Sequence, residues 1–109
     1  MDENINDWIS KQIASTDVVL FMKGTPESPQ CGFSSQVVQI LNYLGIEFSS
    51  INVLEDEEIR NGIKEYTNWP TIPQLYIKSE FIGGADIVRE MFEENELKEF
   101  LEEKGIVTN

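Results

Sequence analysis

The sequence predicts an α/β fold, in which a central sheet carries helices on both faces. An uninterrupted apolar run at residues 18–22 is typical of a strand that is buried on both faces. Apolar residues recur at helical spacing before and after this run, which predicts helices on either side of it in the chain. Residues 74–78 and 80–83 are short β-like segments joined around Ser79, and this spacing predicts an antiparallel hairpin.

The first half of the chain is predicted to form a helix, a strand, a second helix and a second strand. One apolar face predicts an amphipathic helix over residues 3–15; its members are Ile5, Trp8, Ile9 and Ile13. After the strand at 18–22, a loop leads to a helix that begins near Cys31 and ends near Gly45. The β-branched end of residues 47–53 predicts the second strand, which completes a parallel βαβ unit.

The second half of the chain is predicted to form a helix, the hairpin and a final helix. Residues 55–66 begin with acidic side chains, which favour the positive end of a helix dipole. After the hairpin, a final helical stretch is predicted from about Ala85 to Glu94, and the apolar spacing continues to Lys104, where Gly105 ends it. The whole order predicts one domain, residues 1–109, with a central four-stranded mixed sheet.

The composition excludes several classes of protein. A chain of 109 residues has room for one hydrophobic core. The chain contains no histidine, which excludes Cys-His proteases, Ser-His-Asp hydrolases and histidine-ligated zinc or iron sites. Its single cysteine, Cys31, excludes an intrachain disulfide and with it a disulfide-stapled secreted domain.

The charge and the N-terminal sequence predict partners and location. The chain has 20 acidic and 8 basic residues, a net charge of −12. Such a surface repels phosphate backbones and anionic lipids, so we expect no nucleic-acid partner and no membrane association. Residues 1–5 lack the basic and apolar segments of a signal peptide, and the apolar runs are shorter than a membrane span. A reducing, cytoplasmic location is therefore expected.

The one cysteine lies where a Gly/Pro/Ser-rich loop, residues 23–30, meets the start of a predicted helix. Free amide groups and the helix dipole stabilise a thiolate at such a place, and they lower a cysteine pKa from about 8.5 to roughly 3.5–7.5. Two interpretations of Cys31 are open at this point: a small core residue, or a reactive thiol. The prolines and polar residues that precede it favour the reactive thiol.

The pattern Lys-Gly-Thr-Pro-x-x-Pro-x-Cys-Gly-Phe-Ser at residues 23–34 resembles the active-site loop of the monothiol glutaredoxins, the Cys-Gly-Phe-Ser class. The resemblance continues through Trp-Pro-Thr-Ile-Pro-Gln-Leu-Tyr at residues 69–76 and Gly-Gly-Ala-Asp-Ile-Val at residues 83–88, so it covers nearly the whole chain. It implies a thioredoxin-like (glutaredoxin) fold and a binding site for glutathione.

The resemblance also implies which residues bind glutathione: Lys23, Arg60, Thr71, Ile72, Ala85 and Asp86. Lys23 and Arg60 match the family's cationic contacts to the glycine carboxylate of glutathione. The backbone of Ile72 matches the contact to the cysteinyl part. Ala85 and Asp86 match the contacts to the γ-glutamyl end. Lys64, one helical turn after Arg60, is expected to add positive charge only.

Several of these positions also have a plain structural interpretation. Lys23 can be a solvated lysine at the end of a strand, residues 70–73 a turn into the hairpin, and Asp86 a helix cap. In the family the Ile72–Pro73 bond would be cis, exposing the backbone of residue 72 beside the cysteine. Ala85 stands where a second cysteine is common in the family, so this chain has no disulfide between residues 31 and 85.

Ser34 occupies the position at which a dithiol oxidoreductase has its resolving cysteine, so any redox cycle needs the thiol of glutathione. A [2Fe–2S] cluster usually takes four thiolates. Cys31 from each of two chains and two bound glutathiones complete that set.

The resemblance accordingly implies a homodimer bridged by a labile cluster, which stores or transfers iron–sulfur clusters with assembly or acceptor proteins as partners. Two alternatives stay open. One is a weak glutathione-dependent oxidoreductase with Cys31 as its catalytic nucleophile. The other is a thioredoxin-like binding module with an inert cysteine.

Overall fold

The computed structural model describes residues 4–108. Its α-helices are α1 (Ile5–Ser15), α2 (Gly32–Tyr43), α3 (Glu57–Thr67), α4 (Ala85–Glu93) and α5 (Glu96–Glu103). Its strands are β1 (Val18–Met22), β2 (Gly24–Thr25), β3 (Ser28–Pro29), β4 (Ser49–Asn52), β5 (Gln74–Ile77) and β6 (Glu80–Gly83). In this part of the chain, no helix is both long enough and apolar enough to span a bilayer.

The central sheet has four strands in the order β4-β1-β5-β6. Strand β1 pairs in parallel with β4 and antiparallel with β5, and β5 pairs antiparallel with β6. The predicted four-stranded mixed sheet is therefore confirmed, including the βαβ unit and the hairpin. Strands β2 and β3, which the sequence did not predict, form a small separate ribbon inside the cysteine loop.

Helices cover both faces of this sheet, as predicted. Every residue of β1 is buried, because alternate side chains point to opposite faces and each face has its own cover. On one face, Leu20 belongs to a core cluster with α2, α4 and α5. On the other face, Phe21 belongs to a cluster with α1 and α3. The carboxyl end of β1 is thereby fixed between two packed layers.

Three elements differ from the predictions in their boundaries. The final helical stretch, predicted from about Ala85 to Glu94 with its apolar pattern continuing to Lys104, is two helices: α4 ends at Glu93, and Asn95, whose φ of 64° is left-handed, separates it from α5. Asparagine tolerates this conformation, and the break lets Leu97 and Leu101 pack into the core. The strand predicted at residues 47–53 is shorter and spans Ser49–Asn52. A 3₁₀ turn at Val53–Glu55 follows it, so the helix predicted from residue 55 begins at Glu57 instead. The predicted start of the first helix, Glu3, lies outside the described residues.

Candidate functional site

The cysteine loop joins the carboxyl end of β1 to the start of α2. Gly24 has a φ of 90°, and a Cβ at this position would lie 2.6 Å from both Gln30 N and Ser28 O. Only glycine fits here without strain. The Asn52 side chain accepts a hydrogen bond from Gly24 N at 2.9 Å, and Lys23 O accepts one from Gln30 N, also at 2.9 Å. The loop that presents the cysteine is therefore held to the sheet.

Cys31 is the residue immediately before the first turn of α2, and its thiol is half-buried. The backbone N–H of Ser34 lowers the pKa of the Cys31 thiol, while burial opposes this shift. The Phe33 N–H, the charge of Lys23 and the Ser34 hydroxyl lower the pKa further. The Cys31 side chain makes no capping hydrogen bond to α2. The N–H groups of the first turn therefore stabilise the thiolate mainly as partial positive charges. The result is a thiol biased towards its reactive thiolate form.

Ser34 connects this thiol to the end of β1. Its side chain is fully buried, and its Oγ accepts a hydrogen bond from Lys23 N at 3.1 Å. The same hydroxyl also helps to lower the pKa of Cys31. The position that holds a thiol in dithiol enzymes is thus used here to satisfy a backbone donor and to favour the thiolate.

A groove of about 540 Å³ opens beside Cys31. Six of the seven predicted site residues line it: Lys23, Cys31, Thr71, Ile72, Ala85 and Asp86. Lys64, Trp69 and Gly84 also line it. The fold thereby brings together residues from the β1–α2 loop, α3, the segment before β5 and the start of α4.

Arg60 is the predicted site residue that does not line the groove. It lies on α3, half-buried, and within residues 4–108 its buried Nε has no hydrogen-bond partner. Lys64, one turn later on the same helix, lines the groove instead. The motif resemblance placed Arg60 ahead of Lys64 as a ligand contact, and that ranking stays a prediction. Both belong to one helical face, so only the packing angle of α3 decides which of them reaches the groove.

The segment of residues 69–73 forms one wall of the groove. Its Ile72–Pro73 peptide bond is cis, as the resemblance predicted. The Trp69 ring packs on Phe81, with ring centroids 5.7 Å apart. A Cβ at Gly84 would lie 3.3 Å from Pro73 O and 3.5 Å from Trp69 Nε1, so glycine lets α4 begin close to this wall.

The start of α4 forms the adjoining wall. Gly84 precedes the helix and has no side chain with which to cap it, so the first N–H groups of α4 lie free of helical partners at the edge of the groove. Ala85 is buried and Asp86 is exposed. The Asp86 carboxylate accepts a hydrogen bond from Arg89 at 3.3 Å, one turn further along. This wall presents positive backbone dipoles next to one carboxylate.

A second hollow of about 520 Å³ also borders Cys31. It is lined by Cys31, Gly32, Phe33, Gln36, Gln39 and Arg89. The Phe33 ring is 60% exposed. Cys31 therefore borders two separate depressions in the surface.

Comparison with known proteins identifies the family. The glutaredoxin family model matches residues 18–82, which include the cysteine loop and the segment before β5. The chain belongs to the glutaredoxin family. It is 57% identical over 94 residues to an uncharacterized monothiol glutaredoxin from Synechocystis, a match that spans 86% of this chain and 88% of that protein.

Two further relatives agree with this assignment. The chain is 54% identical over 98 residues to chloroplastic monothiol glutaredoxin-S14 of Arabidopsis thaliana, covering 90% of this chain but 57% of that longer protein. A truncated, monomeric 1-C-Grx1 mutant from Trypanosoma brucei superposes with a TM-score of 0.88 at 44% identity, covering 99% of this chain and 98% of that one. The fold is thus that of glutaredoxins, and the chain is a monothiol glutaredoxin.

Proposed function

We propose that this monothiol glutaredoxin binds glutathione and, as a homodimer, a labile [2Fe–2S] cluster that it stores and transfers to acceptor proteins. The observation that supports this proposal is a groove of about 540 Å³ with a single activated thiol, Cys31, at its edge. A cytoplasmic location stays a prediction.

The chemistry of the groove matches glutathione, an anionic tripeptide with two carboxylates, one ammonium group and one thiol. The volume of the groove, about 540 Å³, lies within the roughly 300–1,000 Å³ that is typical of small-molecule sites. The cations of Lys23 and Lys64 suit one carboxylate, and the first turn of α4 suits the other. Asp86 suits the ammonium group, and the backbone of Ile72 can pair with the peptide as an added strand. A buckwheat glutaredoxin with the same fold, at 24% identity and a TM-score of 0.82, has been solved as a glutathione complex.

The donor set fits a cluster only when it is shared between chains. Among residues 4–108, no group of three or more His, Cys, Asp or Glu side chains could hold a metal ion. One chain supplies one thiolate, Cys31, whereas a [2Fe–2S] cluster usually has four. A second chain supplies one more, and two glutathione thiols supply the remaining two. The lowered pKa of Cys31 favours the deprotonated form that such ligation needs.

Anaerobic reconstitution tests the proposal. Purified protein is mixed with iron, sulfide and glutathione, and its visible absorption and sedimentation are measured. We expect a coloured dimer with one glutathione per chain, and neither colour nor dimer without glutathione. Cys31→Ser should abolish both signals, whereas the surface variant Tyr66→Phe should retain them. A colourless, monomeric product from the wild-type chain would refute the cluster proposal.

The exposure and activation of Cys31 also favour a second candidate function, the removal of glutathione from mixed disulfides. The Cys31 thiolate would attack the glutathione sulfur, and the released protein thiolate would take up a proton. A second glutathione thiolate would then attack the Cys31–glutathione disulfide, giving oxidised glutathione and free Cys31. Rapid turnover of a glutathionylated peptide, lost in Cys31→Ser, would favour this function; slow turnover together with cluster binding would favour the first.

A further inference from the structure

Gln74 is a fully buried polar residue at the start of β5, directly after the segment that forms one wall of the groove. Its Nε2 donates hydrogen bonds to Trp69 O and to Thr71 O, both at 3.2 Å. A single side-chain amide thus joins two carbonyl groups that lie on either side of Pro70. Gln74 itself does not line the groove.

The orientation of this amide is set by its partners. Two carbonyl oxygens can only accept, so the nitrogen must face them and the oxygen must face away. The Gln74 Oε1 accepts a hydrogen bond from the Tyr76 hydroxyl at 3.3 Å. Burial raises the pKa of Tyr76, so its hydroxyl keeps the proton that it donates. All the polar groups of the Gln74 side chain are therefore engaged with the segment or with Tyr76.

Tyr76 in turn is fixed by the core. Its ring contacts Phe21 of β1, with centroids 5.8 Å apart, and Phe81 of β6, with centroids 5.4 Å apart. Phe81 also contacts the Trp69 ring at 5.7 Å. The segment of residues 69–72 is consequently tied to the central sheet twice, through the Gln74 amide and through the edge-on and tilted ring contacts.

We propose that Gln74 is a positioning residue, which holds residues 69–72 so that the backbone of Ile72 is presented to the ligand in the groove. The ligand part of this inference rests on the proposed glutathione function; the ordering of the segment does not. Removing the amide leaves two carbonyl oxygens without this donor and frees the segment to adopt other conformations. Since Gln74 touches no groove surface, its effect on binding would act through Ile72.

Three variants separate positioning from general stability. Gln74→Met keeps the length of the side chain and removes its hydrogen bonds. Gln74→Glu places a carboxylate against the two carbonyl oxygens, but its protonated form regains one donor. Leu101→Ala is the matched control, because it deletes buried atoms in the core cluster on the other face of the sheet and touches no part of the segment. Melting temperatures show how far each variant is destabilised.

Two NMR readouts are then compared. The first is the backbone order of residues 69, 71 and 72 in the free protein, from nitrogen-15 relaxation. The second is the affinity for S-methylglutathione, whose blocked thiol prevents disulfide formation. We expect Gln74→Met to lower the order of the segment and to weaken S-methylglutathione binding about tenfold, the effect of losing roughly one buried hydrogen-bond partner. Leu101→Ala should change neither.

The pH dependence of Gln74→Glu supplies a rescue. Its affinity should recover towards the wild-type value as the pH falls and the introduced carboxyl is protonated, relative to the wild type and Gln74→Met titrated in parallel. If Gln74→Met leaves the order of the segment unchanged, or if Leu101→Ala has the same effect, the inference is overturned. If the wild type binds no S-methylglutathione, the proposed function fails, while the relaxation data still decide whether Gln74 positions the segment.

Discussion

Replacing Ser34 by alanine is expected to weaken both the fold and the activation of the thiol. In the structure, Ser34 Oγ is fully buried and accepts a hydrogen bond from Lys23 N at 3.1 Å. Alanine keeps the Cβ and removes the oxygen, so a backbone donor loses its partner. Such a loss costs about 1–3 kcal/mol of unfolding free energy, which corresponds to a fall of roughly 5–15 °C in melting temperature for a domain of this size.

The neighbouring Ser35→Ala is the matched control. Its hydroxyl makes an exposed contact with Gln39 within α2, so the change should stay within about 0.5 kcal/mol. Denaturant unfolding of both variants measures the difference, and the pH dependence of alkylation measures the Cys31 pKa, which should rise in Ser34→Ala only. Equal losses of stability in the two variants, or an unchanged pKa in Ser34→Ala, would show that the hydroxyl does not act as described.

Three further results are expected. Lys23→Gln should raise the Cys31 pKa, since a positive charge is removed, and alkylation at a lower pH than in the wild type would contradict this. Gly24→Ala should lower the unfolding free energy by more than about 1 kcal/mol, because residue 24 has a φ of 90° and an added Cβ would lie 2.6 Å from Ser28 O. Gly32→Ala is the control: no atom lies within 4 Å of an added Cβ there, so its unfolding free energy should not change. Because folding lowers the Cys31 pKa, ionisation stabilises the folded chain above the ordinary thiol pKa, and this contribution is lost as the pH falls through the folded-state value. The stability of the wild type relative to Cys31→Ser should therefore increase with pH, and a gap that does not change with pH would refute the shift.

The sequence was sufficient to predict the architecture, because its signals are local. The apolar run of β1 has no polar residue, so it could only be a buried strand, and the strand–loop–helix order then placed Cys31 at the start of α2. The break at Asn95 could not be predicted, since the apolar spacing continues across it and asparagine also occurs within helices. That break depends on how α5 packs against the rest of the core.

The candidate site was predictable only in part, for a similar reason. Motif resemblance located the residues of the β1–α2 loop, the segment before β5 and the start of α4. Lys64 lines the groove and Arg60 does not. This depends on the packing angle of α3, which no local sequence pattern encodes. Gln74 lies inside the motif at residues 69–76, but nothing in the sequence shows that its amide contacts Trp69 O and Thr71 O, because the fold brings these partners to it.

The Cys31 sulfur borders two hollows, and this affects how it can exchange partners. If glutathione occupies the 540 Å³ groove, the second hollow, lined by Gln36, Gln39 and Arg89, stays open beside Cys31. An incoming protein thiol would then have room to approach the sulfur before the resident glutathione departs, which is the geometry that an associative exchange requires.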